Sequence, residues 1–335
     1  MTPALQRSLR FVAVSLLVAY VLHRAQLTTA NGWAALLATL EGSNIAFLVA
    51  SLLFTPLVHV QSTAKWYALT RARGMHVTFR RLYYFFVVGR FYNVILPSNI
   101  GGDLVRMRML GVATGRQADA AATVFVERLT GIITLIIYAS IAAAITAADR
   151  RLPWLMWVVA LVSAALAGMC WAIVDERPVR LFTRLLGGRT ALVDKVLAKL
   201  VRLRAAIVIY RDMPLALAIA FANSVIFYLI CVGDIWLTVR VFDPVVPFAP
   251  MLIAVPIMMF VMNIPLSVGN VGVIEFAYTV VLGAFGVSPQ AALAAVLLMR
   301  IKTVLAAAVG GVAHALTRES SASAQAVRAA IPQKL

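Results

Sequence analysis

The sequence predicts an all-α integral membrane protein, with about six full spans and two opposed re-entrant helical hairpins in an inverted repeat. Three observations predict it. Of 335 residues, 62% are hydrophobic and 13% charged, with a mean hydropathy of +0.92; a soluble domain carries about 45–50% apolar and roughly 25% charged residues. The apolar residues gather in blocks that reach, with their semi-polar flanks, the roughly 20 residues needed to cross a hydrocarbon core about 30 Å thick. Two more apolar stretches break off in proline and glycine at matching spacing. The whole chain, 1–335, reads as one polytopic membrane domain.

The first span lies near 8–24. Arg7 and Arg10 ahead of an apolar run resemble a signal peptide, but no small-x-small cleavage site follows, so the segment is expected to stay as a span. Further spans lie near 43–61, 119–148, 153–175, 213–239 and 289–316. The stretches 79–97 and 248–265 differ in kind. Pro97 is followed by Ser98, Asn99, Ile100, Gly101 and Gly102; Pro265 is followed within seven residues by Gly269 and Gly272. Such sequences stop a helix, and irregular backbone at membrane depth survives only when buried in protein or lining a wet cavity.

Orientation follows from the basic residues, which give a net charge of +17. They sit between apolar blocks, so topology and anionic headgroups explain them better than nucleic acid does. If 79–116 turns back to its starting face, most of the 30 Lys and Arg share one face, and only Arg24, Arg150, Arg151 and Arg240 lie on the other. The positive-inside rule makes the basic face cytoplasmic, with both termini and the basic linker 176–212 on it. That linker is expected to form an amphipathic helix on the membrane surface. The hairpin at 248–285 then enters from the opposite face. Leu96-Pro97-x-x-x-Gly101 and Ile264-Pro265-x-x-x-Gly269 share one spacing, each preceded by a span and followed by a helix carrying intramembrane charge. These features predict an inverted repeat, 43–148 and 213–317, as in transporters that bind substrate near the midplane.

Charge within the membrane selects the candidate site. A central Arg, Lys or Asp costs about 2.5–3.5 kcal/mol on insertion scales, so it pairs or lines a wet path. Glu127 and Arg128 lie in the third span; Arg300 and Lys302 lie in the last. Arg90 and Asn93 precede the first break and Asn263 the second, while Asp103, Arg106 and Glu275 follow the breaks. Together they carry enough charge of both signs to bind an anionic or zwitterionic headgroup. The bland readings are structural ion pairs joining Glu127 and Arg128 to Arg300 or Lys302, snorkelling of Lys302, and anchoring of the hairpin at the surface by Asp103 and Arg106. Asp234, His23 and His59 fall near predicted helix ends and read as interfacial. Tyr83, Tyr84, Phe85 and Phe86 fit an aromatic belt.

Enzymatic signatures are missing: no phosphate-binding Gly-x-x-x-x-Gly-Lys loop, His-Glu-x-x-His helix or Cys-x-x-Cys pair occurs, and no cofactor or metal is expected. Cys170 and Cys231 both lie in apolar segments, which argues against a structural disulfide.

Three ordered motifs carry a resemblance: Pro97 to Arg106, Val126-Glu127-Arg128-Leu129-Thr130-Gly131, and Pro265 to Glu275. The chain resembles the lysylphosphatidylglycerol synthase transmembrane family, which is similar to the flippase portion of the multiple peptide resistance factor. A usual Gly-Gly or Gly-Leu-Gly reads Gly269-Asn270-Val271-Gly272 here. The aminoacyl-transferase domain of bifunctional members does not follow the last span, so the resemblance implies the transport half rather than lysyl transfer. The expected function is a flippase of a bacterial inner membrane, with Gly101, Gly102, Gly269 and Gly272 letting the hairpins move. The rivals are a secondary transporter of a small polar or anionic solute, and a non-catalytic subunit serving a partner lipid or polysaccharide synthase. A homo-oligomer is compatible with each.

Overall fold

Four helices are long and apolar enough to cross a membrane: Ile45–Ala72, Gln117–Ile145, Pro214–Arg240 and Pro289–Leu316. The computed structural model describes residues 19–27, 29–95, 101–148, 207–263 and 271–317, with scattered positions between 157 and 205. The expected span 8–24 is described only from residue 19, where it is helical. Most of the span 153–175 and most of the linker 176–212 lie outside the described residues, as do Pro97, Pro265 and Gly269.

In chain order, α1 is Ala30–Glu41, α2 Ile45–Ala72, α3 Phe79–Ile95, α4 Gly101–Thr114 and α5 Gln117–Ala148. A 3-10 turn at Ile209–Asp212 leads into α6, Pro214–Arg240. Then follow α7, Phe248–Met262, the short α8, Val273–Ala277 with a π-turn at Tyr278–Leu282, and α9, Pro289–Leu316. The long helices start on good signals. Asn44 Oδ1 accepts the N–H groups of Ala46 and Phe47 at 3.0 and 3.3 Å, and Ser288 Oγ accepts that of Ala291 at 3.2 Å, ahead of Pro289 in the first turn. Such a cap stabilises a helix by about 1 kcal/mol.

α2 corrects the sequence reading, because it continues past 61 to Ala72. Its polar tail faces protein: Gln61 Nε2 donates to Asn223 Oδ1 at 2.9 Å, and Trp66 Nε1 donates to Thr123 Oγ1 at 3.0 Å. Its other half faces outward, with Ile45 71% and Leu53 74% exposed. Exposed aliphatic side chains on a helix about 42 Å long suit a lipid solvent, not water. The helix α1 was not anticipated; it packs on α9 through Leu36 and Leu293.

α2 packs along α6 in the opposite direction, since Ser51 meets Thr238, Thr55 meets Asp234 and Gln61 meets Asn223. The short links after each helix therefore start α3 and α7 at opposite ends of the bundle. α3 packs on α4 and on α9, while α7 packs on α8 and on α5, so each short arm leans on the last helix of the other half. The segments flanking α3 and α4 touch: Arg116 Nη1 donates to Arg73 O at 2.9 Å, and Arg73 pairs with Asp119. The α3–α4 crossing needs glycine, because a Cβ on Gly89 would lie 2.8 Å from Gly102 O and one on Gly102 would overlap Gly89 O.

Candidate functional site: a charged chamber beside an apolar groove

A cavity of about 110 Å³ lies among α2, α3, α4, α5 and α6, with Arg90, Asp103, Arg106, Glu127 and Arg128 in its walls. The first turn of α4 supplies Asp103, and α5 supplies Glu127 and Arg128 as neighbours on adjacent faces. Asp103 receives most of the hydrogen bonds. Its Oδ1 accepts Arg106 Nε at 3.1 Å and Arg128 Nη2 at 2.9 Å, and its Oδ2 accepts Arg128 Nε at 2.9 Å. The second guanidinium nitrogen of Arg106, Nη2, donates to Glu127 Oε2 at 2.5 Å. The Arg106 guanidinium also lies over the Trp66 ring, 5.0 Å from its centre. Charge-assisted bonds of this kind are about twice as strong as neutral ones.

Two expectations are corrected here. Glu127 and Arg128 pair with Arg106 and Asp103 of α4, not with Arg300 or Lys302. Asp103 and Arg106 are not surface anchors, being 8% and 2% exposed. Asn93 holds the two arms together, its Oδ1 accepting Gly102 N–H at 2.7 Å. Behind the wall, Lys65 of α2 is buried and donates to Glu127 O at 2.6 Å. The span expected near 43–61 stops short of Lys65, which the longer α2 carries into the protein.

A second cavity of about 210 Å³ shares Val58, His59, Arg90 and Phe227 with the first and extends to Asp234 and Lys302. Lys302 does not snorkel. Its ammonium donates to Asp234 Oδ1 at 2.7 Å, Ser51 Oγ at 2.9 Å and Thr238 Oγ1 at 3.0 Å. Asp234 and His59, expected at the interface, instead line this cavity, and His59 sits at the middle of α2. The two cavities adjoin, with Arg90 in the wall of both, and are described together as the chamber.

Arg90 differs from the other chamber cations. Among the described residues it makes no ion pair and no hydrogen bond. The chamber therefore holds one guanidinium that is not neutralised by an acid partner among the described residues.

An apolar groove of about 260 Å³ opens between α2, α3 and α9, lined by Leu52, Pro56, Val87, Leu305 and Val309. It shares Thr55, His59, Lys302 and Ala306 with the chamber. Its outer lip is exposed, Leu305 by 52% and Val309 by 65%. Another groove, of about 240 Å³, lies between α5, α6 and α7. Tyr228, whose hydroxyl donates to Gly131 O at 2.9 Å, stands in its wall.

The remaining candidates lie elsewhere. Glu275 and Arg300 pair with each other at 2.7 Å, 25 residues apart, as Asp103 and Arg128 are. Glu275 Oε2 also accepts the N–H of Gly272, whose φ of 83° suits glycine. In the second half, Tyr278 and Met299 stand at the steps from Glu275 and Arg300 that Arg106 and Glu127 occupy in the first, so the second charge couple has no counterpart. Asn263 is exposed and its Nδ2 donates to Met259 O in its own helix at 2.7 Å, outside the chamber.

The described helices form a membrane domain with buried ion pairs around an internal polar chamber. The chain matches the lysylphosphatidylglycerol synthase TM region over residues 9–311 and belongs to that family. Neither a curated protein nor a solved structure matches it.

Proposed function

We propose that the protein is a lipid transporter that passes a polar headgroup through the charged chamber while the acyl chains stay in the bilayer. The observation that carries this reading is that chamber and groove adjoin, with Thr55, His59, Lys302 and Ala306 in the walls of both. A headgroup beside His59 and Lys302 has an apolar channel to lipid between Leu52, Val87 and Leu305. A transporter of small solutes gains nothing from such a side opening. The α3–α4 and α7–α8 pairs act in this reading as re-entrant hairpins of an inverted repeat, with the basic face and both termini in the cytoplasm of a bacterial cell. Supporting the repeat are the exchanged packing of α3 on α9 and α7 on α5, and the equal spacing of the Asp103–Arg128 and Glu275–Arg300 pairs. The groove between α5, α6 and α7 then corresponds to the one between α2, α3 and α9, with Tyr228 between it and the chamber.

Reconstitution into liposomes with a fluorescent phospholipid tests the reading. Wild-type protein should speed movement of the lipid between leaflets. Ala306→Trp, at the junction of groove and chamber, should lower the rate at least about tenfold, which is about 1.4 kcal/mol on the barrier, while the protein still folds. Wild-type liposomes that move no phospholipid, or an Ala306→Trp variant as fast as wild type, would overturn it.

A further inference from the structure

We propose that Arg90, with the free Nη1 of Arg106, forms a subsite for a phosphoryl anion. The proposal deepens the transport reading, since it rests on the chamber being where the headgroup sits. The chamber walls carry three guanidinium groups, Arg90, Arg106 and Arg128, against two carboxylates, Asp103 and Glu127. Both carboxylates are held by Arg106, and Asp103 is also held by Arg128, which leaves Arg90 as the excess charge. Arg106 is 2% exposed, yet its Nη1 has no hydrogen-bond partner among the described residues. An unmet guanidinium N–H that deep is retained at a cost unless a ligand fills it.

Other unmet groups on the walls are mostly donors. Asn93 accepts through Oδ1 and makes no hydrogen bond through its Nδ2 among the described residues, and Ser62 makes none at all. Two guanidinium groups, an amide N–H and a hydroxyl suit an acceptor-rich anion. The planar fork of arginine fits phosphate oxygens in particular. The second half of the chain, where Tyr278 replaces the residue matching Arg106, lacks this set. The anion can be a lipid phosphate or free phosphate, and the two share this chemistry.

Thermal melting of the full chain in neutral detergent separates the possibilities. Phosphatidylglycerol, inorganic phosphate and uncharged monoolein are added in turn. Phosphatidylglycerol should raise the melting temperature of wild type, since a ligand that binds the native state stabilises it; monoolein should not. Arg90→Gln should weaken that binding by roughly ten- to a hundredfold, the worth of a lost bond to a charged group, and Arg90→Lys should recover part of it. Because Arg90 has no acid partner, Arg90→Gln alone should melt no lower than wild type, so lost binding is not lost folding. Stabilisation by phosphatidylglycerol alone assigns the lipid headgroup; stabilisation by inorganic phosphate alone assigns the free anion. Equal binding by wild type and Arg90→Gln would overturn the subsite. Lost binding in Arg90→Gln with no lipid movement by wild type would leave the subsite standing and overturn transport instead.

Discussion

The ammonium of Lys302 donates all three of its protons, to Ser51, Asp234 and Thr238, and so ties α9 to α2 and α6. Removing one member of a buried pair leaves the other uncompensated, at about 3–5 kcal/mol. Lys302→Met should therefore lower the melting temperature sharply, and Lys302→Met combined with Asp234→Leu should recover most of the loss. A single variant as stable as wild type would show that the pair does not hold these helices together. At this scale the sequence showed which residues are out of place in a membrane but not whom they meet. Arg90, Asn93, Asp103, Arg106, Glu127 and Arg128 do meet. Glu275 and Arg300 found each other instead, and Lys302 found Asp234. Partner choice depends on helix rotation and depth, which a hydropathy pattern leaves open. His59 and Asp234 were misread for the same reason: distance from a helix end was taken as distance from the membrane surface.

Helix α3 is held between glycines on two sides. Gly89 meets Gly102 of α4, and on α9 a Cβ at Gly310 would overlap Val87 O while one at Gly311 would lie 2.6 Å from the Phe91 ring. The arm is thus packed backbone to backbone, as membrane helices are when small residues face each other. Gly102→Ala should force the arms apart, cost about 1–3 kcal/mol as overpacked sites do, and lower lipid movement with stability. Gly283→Ala is the control. Its added Cβ meets nothing within 4 Å and its φ of −59° is helical, so it should be neutral or gain about 0.5–1 kcal/mol. Equal melting of the two variants would mean that the crossing is loose. The sequence marked the breaks at Gly101 and Gly272 because proline and glycine stand out there. It did not mark Gly89 or Gly310, since a glycine inside an apolar run looks the same whether or not another backbone lies against it. Likewise α2 outran its apolar block, because polar side chains met partners inside the protein.

On the scale of the whole molecule, the four long helices run from one end of the bundle to the other, and residues near the middle of α2 line the chamber. Arg90 stands eleven residues into α3, about 16 Å along the helix axis. A charge at that depth feels the membrane potential, and carrying one elementary charge across the full field changes the free energy by about 2.3 kcal/mol per 100 mV. An empty chamber carries the charge of Arg90 uncancelled by its wall carboxylates, whereas a bound monoanion offsets that charge. If the hairpins shift Arg90 along the field, the step made empty is the voltage-dependent one and the loaded step is not. A potassium diffusion potential across the liposome should then change the rate of lipid movement by wild type, and reversing its sign should reverse the change. Arg90→Gln should leave the residual rate insensitive to either sign. Equal responses from the two proteins would mean that Arg90 stays fixed in the field. The cell's own electrical gradient would in the first case act on the protein without any ion being carried, through a single arginine that has no acid partner.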